Sequence, residues 1–95
     1  MDNNKHYVLV RHKVEDFRTW KTVYDAHAPA RMRAGLKEIH LLRNIENPHE
    51  VILLFEASDM TKAHQFLASS DLRETMQKAC VTDKPDLYFL EDRHH

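Results

Sequence analysis

The hydrophobic pattern of the chain changes period several times, and each change predicts a new element. Residues His6 to Val14 alternate at a period of two, which predicts a β-strand. From Asp16 onward the apolar residues recur at steps of three and four, which predicts an amphipathic helix with Asp16 as its N-cap. Because Pro29 lacks a backbone donor, we expect this helix to bend or restart there before it ends at Gly35.

The second half of the chain predicts a hairpin and a final strand. Lys37 to Ile45 and Val51 to Ala57 both read as strands, and the turn residues 46–49 lie between them. A short last strand is predicted from Asp86 to Glu91, directly after Pro85. These segments supply three of the four strands of the expected sheet.

A second helix is predicted between the hairpin and the last strand. Ser58 or Asp59 is suited to cap its start, and Ala63 and Phe66 lie on its apolar side. The run 69–71 (Ser-Ser-Asp) is suited to interrupt the helix and to cap a following one. We therefore expect the second helix to be broken in two.

The order strand, helix, strand, strand, helix, strand predicts an α+β, ferredoxin-like βαββαβ fold. Right-handed crossovers and a central hairpin then give a four-stranded antiparallel sheet with two helices on one face. Ninety-five residues suit one domain. We expect this domain to span 1–95, with an ordered core over about 6–91 and a tail over 92–95.

The sheet face away from the helices is also predicted to be apolar. Residues 51–57 (VILLFEA) are apolar at both parities, and so are the first and last strands. Burial of apolar surface contributes roughly 25 cal/mol per Å², which is enough to drive a self-complementary dimer in which two sheets meet. The pattern therefore predicts a homodimer through the sheet faces.

Composition excludes several classes of function. Fourteen basic and fifteen acidic side chains are interleaved along the chain, so we expect neither a nucleic-acid partner nor an anionic membrane surface. The apolar runs are too short to span a bilayer, and no export signal is recognisable at the N-terminus. A lone cysteine, Cys80, agrees with a reducing compartment, and the expected location is cytoplasmic. The single glycine, Gly35, excludes glycine-rich nucleotide loops and the nucleophile elbow.

The candidate chemistry lies on the first helix. Trp20, Tyr24, His27 and Arg31 follow one another at steps of four, three and four residues, so they share one stripe. Such a stripe can stack a planar substrate on Trp20 and Tyr24, move a proton through His27 and hold an oxyanion with Arg31. The alternative is that the aromatic residues pack the core and that His27 is structural.

His12 is the second candidate histidine. If its strand face turns toward the helices, His12 lies opposite His27 in a two-histidine pocket, and we favour this parity because it leaves Arg11 and Lys13 outside. If the face turns the other way, His12 lies in the dimer interface. No close-spaced ligand pairs indicate a metal site, so no metal and no cofactor are expected. The tail pair His94 and His95 is expected to bind metal at most nonspecifically.

Several short motifs resemble the dimeric α/β-barrel superfamily, and the resemblance covers nearly the whole chain. This superfamily includes antibiotic-biosynthesis-monooxygenase-like proteins, small polyketide cyclases, haem-degrading monooxygenases and stress-responsive barrel proteins. The motifs are Val10-Arg11-His12-Lys13-Val14, Asp16-Phe17, Trp20-Lys21, His27-Ala28-Pro29, Arg31, Ala34-Gly35-Leu36 and Tyr88-Phe89-Leu90-Glu91. The resemblance implies a dimeric barrel with a ligand pocket in each subunit, between helices and sheet.

The resemblance also has departures. The Asn, Trp and His set described for the monooxygenases has no match, because Asn3 and Asn4 precede the first strand and fit no motif. His64, the nearest candidate for a haem ligand, is expected to point outward. Two hypotheses follow: a cofactor-independent monooxygenase or cyclase-like enzyme acting on a hydrophobic or aromatic polyketide-type molecule, and a non-catalytic ligand-binding or stress-responsive dimer. Catalytic roles are assigned to His27, His12 and Arg31, and substrate binding to Trp20 and Tyr24.

Overall fold

Four strands form one antiparallel sheet in the computed structural model, which describes residues 5–82 and 84–93. The strands are β1 (His6–Lys13), β2 (Leu36–Arg43), β3 (Glu50–Ala57) and β4 (Asp86–Glu91). Their order across the sheet is β2-β3-β1-β4, so β2 and β4 are the edges. The ferredoxin-like prediction is confirmed, and the sheet of one chain is open rather than closed into a barrel. The predicted tail pair His94 and His95 lies outside the described residues.

Each of the two predicted helices is divided in two. The helices are α1 (Phe17–Ala26), α2 (Ala28–Arg33), α3 (Met60–Leu67) and α4 (Ser70–Lys78). The carboxylate of Asp16 accepts the Thr19 backbone N–H at 3.1 Å, and Asp59 caps α3 in the same way. The hydroxyl of Ser69 accepts the Leu72 N–H at 3.1 Å, so α4 has its own cap. The predicted N-caps and both helix breaks are confirmed.

The break between α1 and α2 is built around one residue. His27 is both the C-cap of α1 and the N-cap of α2, and Pro29 lies in the first turn of α2, where its missing N–H costs nothing. Gly35 then follows α2 with a φ of +75°, in the left-handed region that favours glycine. Its predicted role at the helix end is confirmed. His27 and Gly35 therefore mark the two ends of α2.

Strand β2 contains an irregularity that the sequence pattern missed. The register between β2 and β3 shifts between Glu38 and His40, so Ile39 is an extra residue in the strand. Glu38 pairs with Phe55 and its side chain lies on the helix-facing side of the sheet, whereas His40 pairs with Leu54 and lies on the opposite side. The bulge changes the parity between Glu38 and His40, so Glu38 and Leu41 both lie on the helix-facing side of the sheet.

The core lies between the helices and one face of the sheet. Along β1 every second residue from Val8 is buried, and β3 alternates in the same way. The opposite side, here called the open sheet face, carries seven apolar side chains on neighbouring strands, and none of the described helices covers them: Tyr7, Leu9, Leu42, Ile52, Leu54, Tyr88 and Leu90. No helix among the described residues is long and apolar enough to cross a membrane.

Candidate functional site

A cavity of about 90 Å³ lies between the helices and the helix-facing side of the sheet. Most of its lining is apolar, with side chains from the sheet and from all four helices. The lining includes the five residues singled out from the sequence, which are His12, Trp20, Tyr24, His27 and Arg31. The fold therefore brings the first-helix stripe and the β1 histidine to one cavity, although they come from three different elements.

His12 is the most unusual of these residues. Its side chain is buried, with 5% of the residue exposed, and neither ring nitrogen has a hydrogen-bond partner among the described residues. The ring lies 5.5 Å from that of Trp20, on the helix-facing side of β1. Burial lowers the pKa of His12 from 6.5 to about 4, so the imidazole is neutral at pH 7. The favoured strand parity is confirmed, and the alternative interfacial position is wrong.

The aromatic residues of α1 are stacked on each other rather than open. The Trp20 and Tyr24 rings are 4.7 Å apart and nearly parallel, and the Arg31 guanidinium lies 3.6 Å from the Tyr24 centroid. Two groups at these distances must occupy opposite faces of the ring. Both faces of Tyr24 are therefore covered, and a bound molecule meets the edge of this residue.

The polar atoms of Tyr24 and Arg31 also have partners within the protein. The Tyr24 hydroxyl donates to Glu38 Oε1 at 2.7 Å, and Arg31 Nη1 donates to the Tyr24 carbonyl at 2.7 Å. Burial and the neighbouring Glu38 raise the pKa of the Tyr24 phenol well above its usual range. Burial lowers the pKa of Arg31, although not enough for a guanidinium to lose its charge. Tyr24 therefore stays protonated and Arg31 stays positive at neutral pH.

His27 is oriented by a residue from a distant part of the chain. Its Nε2 lies 3.1 Å from Asp71 Oδ2, a distance at which the ring N–H donates to the carboxylate, and its ring stacks on Phe66 at 5.6 Å. The His27 side chain is 16% exposed, whereas Asp71 is 74% exposed. A carboxylate that holds one ring nitrogen leaves the other nitrogen to act on a bound molecule.

Asp71 and Glu38 are the site residues that the sequence pattern did not reveal. Asp71 reads as an ordinary acidic residue in the first turn of a helix, and it is 44 positions from His27. Glu38 accepts from the Tyr24 hydroxyl across 14 positions of the chain, and an acidic residue in a strand reads as an ordinary exposed position. Neither position has a local signal, since both contacts depend on how distant segments pack.

The other described histidines lie outside the cavity. His64 is exposed on α3, as expected, and its ring stacks on Phe89 at 4.0 Å. His49 Nδ1 lies 3.1 Å from the Val14 carbonyl, and His6 lies 3.5 Å from Glu91. Within residues 5–82 and 84–93, no group of three or more His, Cys, Asp or Glu side chains is arranged to hold a metal ion.

Comparison with solved structures establishes the fold. A protein of Bordetella bronchiseptica, provisionally assigned as an antibiotic biosynthesis monooxygenase, matches 97% of this chain and 100% of its own with a TM-score of 0.77 and 19% identity. A protein of Caulobacter crescentus with the same provisional assignment matches 96% of this chain and 92% of its own, with a TM-score of 0.72 and 14% identity.

A third match has a stated activity. A variant of SnoaB, a cofactor-independent oxygenase from Streptomyces nogalater, matches 99% of this chain and 97% of its own, with a TM-score of 0.69 and 14% identity. The chain shares its fold with the antibiotic-biosynthesis-monooxygenase-like proteins. At identities below 20%, these matches establish the fold alone, and the activity of this chain depends on the residues of its own site. No family model and no curated protein matches the chain.

Proposed function

We propose that this protein is a cofactor-independent oxygenase that acts on a small hydrophobic molecule bound in the cavity. The observation that carries the proposal is His12, a buried imidazole that lines an apolar cavity and whose two nitrogens have no hydrogen-bond partner in the part of the chain that the structure describes. A buried polar group without a partner costs free energy, so its presence is explained when a ligand supplies the missing hydrogen bond. The fold shared with an oxygenase that needs no cofactor supports the reaction class.

The residues of the cavity suit such a reaction in distinct ways. Oxygenation without a cofactor needs a base that removes a substrate proton, after which the carbanion supplies the electrons that reduce dioxygen. Dioxygen forms a C–O bond to the carbanion carbon as a hydroperoxide, and loss of water then breaks the O–O bond and the second C–H bond of the same carbon, which leaves a carbonyl on the substrate. We assign the proton transfer to His27 because Asp71 orients its ring and supports the imidazolium that forms. His12 holds the substrate oxygen through a neutral hydrogen bond, and Trp20 forms the aromatic wall.

The test is dioxygen uptake with an enolisable probe. Wild-type protein is mixed with cyclohexane-1,2-dione in an oxygen electrode, and ¹⁸O₂ incorporation into the product is read by mass spectrometry. We expect uptake above the protein-free rate, and we expect His27→Ala to abolish it while the thermal midpoint stays close to wild type. If His27→Ala lowers stability and the wild type shows no uptake with any enolisable probe, the histidine is structural and the proposal is wrong.

A non-catalytic binding protein is the second candidate, and one observation favours it. The Arg31 guanidinium and the Tyr24 hydroxyl, two groups expected to stabilise or bind a reacting molecule, are already hydrogen-bonded to Tyr24 O and Glu38. A cavity that binds without reacting needs only His12 and the apolar walls. Ligand binding without dioxygen uptake would favour this candidate. A cyclase-like reaction, in contrast, would use the same His27 base but consume no dioxygen.

We further propose that two chains associate through the open sheet face. Tyr88 and Leu90 are 52% and 41% exposed, and Leu54 and Leu9 lie beside them on the central strands. This concentration of apolar side chains on neighbouring strands is more than a monomer usually exposes. A two-fold dimer would remove it from water and complete the barrel from two sheets.

The free thiol of Cys80 is consistent with a cytoplasmic location, which we also propose.

A further inference from the structure

We propose that the cavity is selective for an uncharged molecule, no larger than a single ring, that offers one hydroxyl or carbonyl oxygen to His12. This inference rests on the proposed function only in that the cavity binds a small molecule. It adds the charge, the size and the polarity of that molecule. Each of the three properties follows from a different observation about the cavity lining.

The charge follows from how the ionisable groups of the lining are paired. The Arg31 guanidinium is stacked on Tyr24, donates to the Tyr24 carbonyl and lies in the field of Glu38. The His27 ring is paired with the Asp71 carboxylate. His12 is neutral at pH 7, as is the Tyr24 phenol. Among the described residues that line the cavity, no cationic group is left to receive an anion, and a carboxylate in an apolar cavity would lose its hydration without compensation.

The size follows from the volume of the cavity. Its 90 Å³ is smaller than an engineered apolar cavity of about 150 Å³ that accepts benzene, and far below the roughly 300–1,000 Å³ of sites for drug-sized ligands. Part of the wall can yield, because Leu72 and Met76 come from α4, a helix with no buried residue. Methionine adapts its shape readily. A small shift of these side chains admits one ring, whereas two fused rings would displace the helix.

The polarity follows from His12 itself. A neutral imidazole has one N–H donor and one nitrogen acceptor, and neither nitrogen of His12 has a partner within residues 5–82 and 84–93. A hydroxyl can accept from the first or donate to the second, and a carbonyl can accept from the first. A hydrocarbon satisfies neither nitrogen. The ligand that best compensates the buried imidazole therefore carries one such oxygen on an otherwise apolar body.

Binding can be measured through Trp20, which is the one tryptophan of the chain and lines the cavity. The protein is titrated at pH 7 with four probes that are silent in tryptophan fluorescence: cyclohexanol, methylcyclohexane, cyclohexanecarboxylate and 2-decalol. We expect cyclohexanol to bind at least about tenfold more tightly than each of the other three. Equal or tighter binding of methylcyclohexane, the carboxylate or the two-ring alcohol would overturn the inference, as would no response to cyclohexanol.

The His12→Leu variant assigns the selectivity to this residue. In this variant the affinity for cyclohexanol should fall about tenfold, because the hydrogen bond is lost. The affinity for methylcyclohexane should stay the same or rise, because the apolar wall remains. His64→Leu, on the exposed face of α3, is the control and should bind all four probes as wild type does. Unchanged cyclohexanol binding in His12→Leu would overturn the inference. Dioxygen uptake is a separate readout, so binding without uptake counts against the oxygenase alone, and uptake without selective binding counts against this inference alone.

Discussion

The Arg31 guanidinium lies 3.6 Å from the centroid of the Tyr24 ring and donates to the carbonyl of the same residue at 2.7 Å. The two residues belong to different helices, α1 and α2, which meet at His27. One side chain therefore joins the two helices across their break. This contact fixes the position of the His27 backbone, and with it the position of the proposed base.

Replacing Arg31 should loosen this junction. We expect Arg31→Lys to lower the free energy of unfolding by about 2 kcal/mol, because a lysine keeps the charge but loses the planar stack and the fixed hydrogen bond. The measurement is urea unfolding followed by Trp20 fluorescence. Arg33→Lys, at an exposed position of the same helix, is the matched control and should change little. Equal effects of the two variants would contradict the role given to Arg31.

Replacing His12 should raise the stability of the protein while it weakens the binding of ligands that carry an oxygen. In His12→Leu an unpartnered polar group gives way to an apolar side chain, so we expect the free energy of unfolding at pH 7 to rise by about 1–2 kcal/mol. A histidine retained only for packing would show the opposite sign. Thermal and urea unfolding at pH 7 measure the change, and a less stable variant would argue against a ligand-binding role for this residue.

The same residue should make stability depend on pH. The unfolded chain binds a proton at His12 below about pH 6.5, whereas the folded chain does so only near pH 4, where its pKa lies. Acidification through this window therefore favours the unfolded state. The free energy of unfolding falls by roughly 3 kcal/mol at about pH 4 because of this one group. The test is the difference between wild type and His12→Leu across pH 7 to 4. The free energies of unfolding of the two proteins should diverge as the pH falls, because only wild type loses stability at His12, and parallel curves would contradict the prediction.

Asp71 should matter for turnover and little for folding. We expect Asp71→Asn to lower kcat of the proposed reaction by about 10- to 100-fold, because the amide cannot support a protonated His27 ring. The ion pair is largely exposed on the Asp71 side, so stability should change by less than about 1 kcal/mol. Glu74→Gln, an exposed acidic residue on the same helix, is the control. Equal dioxygen uptake in both variants would remove Asp71 from the mechanism.

A charge placed on the open sheet face should separate the proposed dimer. Leu54 lies on the central strand β3, opposite Leu9, and Leu54→Glu would put a carboxylate in the middle of the contact. Sedimentation at micromolar concentration should then report a monomer. Met32→Glu is the matched control, since Met32 is an apolar residue of α2 that is 75% exposed and lies away from this face. A wild-type protein that sediments as a monomer would exclude the dimer directly.

A side chain at Gly35 should be tolerated poorly. Its φ of +75° costs an alanine about 1–2 kcal/mol, and an added Cβ would lie 2.5 Å from Ser58 Oγ. Gly35→Ala should therefore lower the unfolding free energy by at least that amount. Gly35→Asn tests the cause, because asparagine tolerates the left-handed region while it has the same Cβ. If the two variants lose equal stability, the loss is caused by the contact of the added Cβ with Ser58 and not by the backbone conformation.

The elements and their order follow from the sequence because they depend on local patterns. The Asp16 and Ser69 caps, the Pro29 break and the Gly35 turn each act within a few residues of their own position. The side of β1 that carries His12 is also predicted correctly to face the helices, because burial of the charged Arg11 and Lys13 is costly. Residue types and spacing therefore predict five of the residues that line the cavity.

Two features could not be predicted, because they depend on long-range packing. The pairing of His27 with Asp71 needs α4 to pack beside the junction of α1 and α2. The covering of both Tyr24 faces needs Arg31 to fold back across the break, a geometry that helical spacing alone does not specify. Spacing placed Tyr24 and Arg31 on one stripe, and it left open that they would contact each other instead of a ligand.

The lack of any buried residue in α4 has a consequence for kinetics. Little apolar surface holds this helix to the rest of the protein, so its local opening requires less free energy than unfolding of the sheet. Amide protons of α4 should therefore exchange with solvent faster than those of β3, whose residues alternate between buried and half-buried positions. Because α4 forms one wall of the cavity, molecules can enter and leave at the rate of that opening while the rest of the fold stays intact.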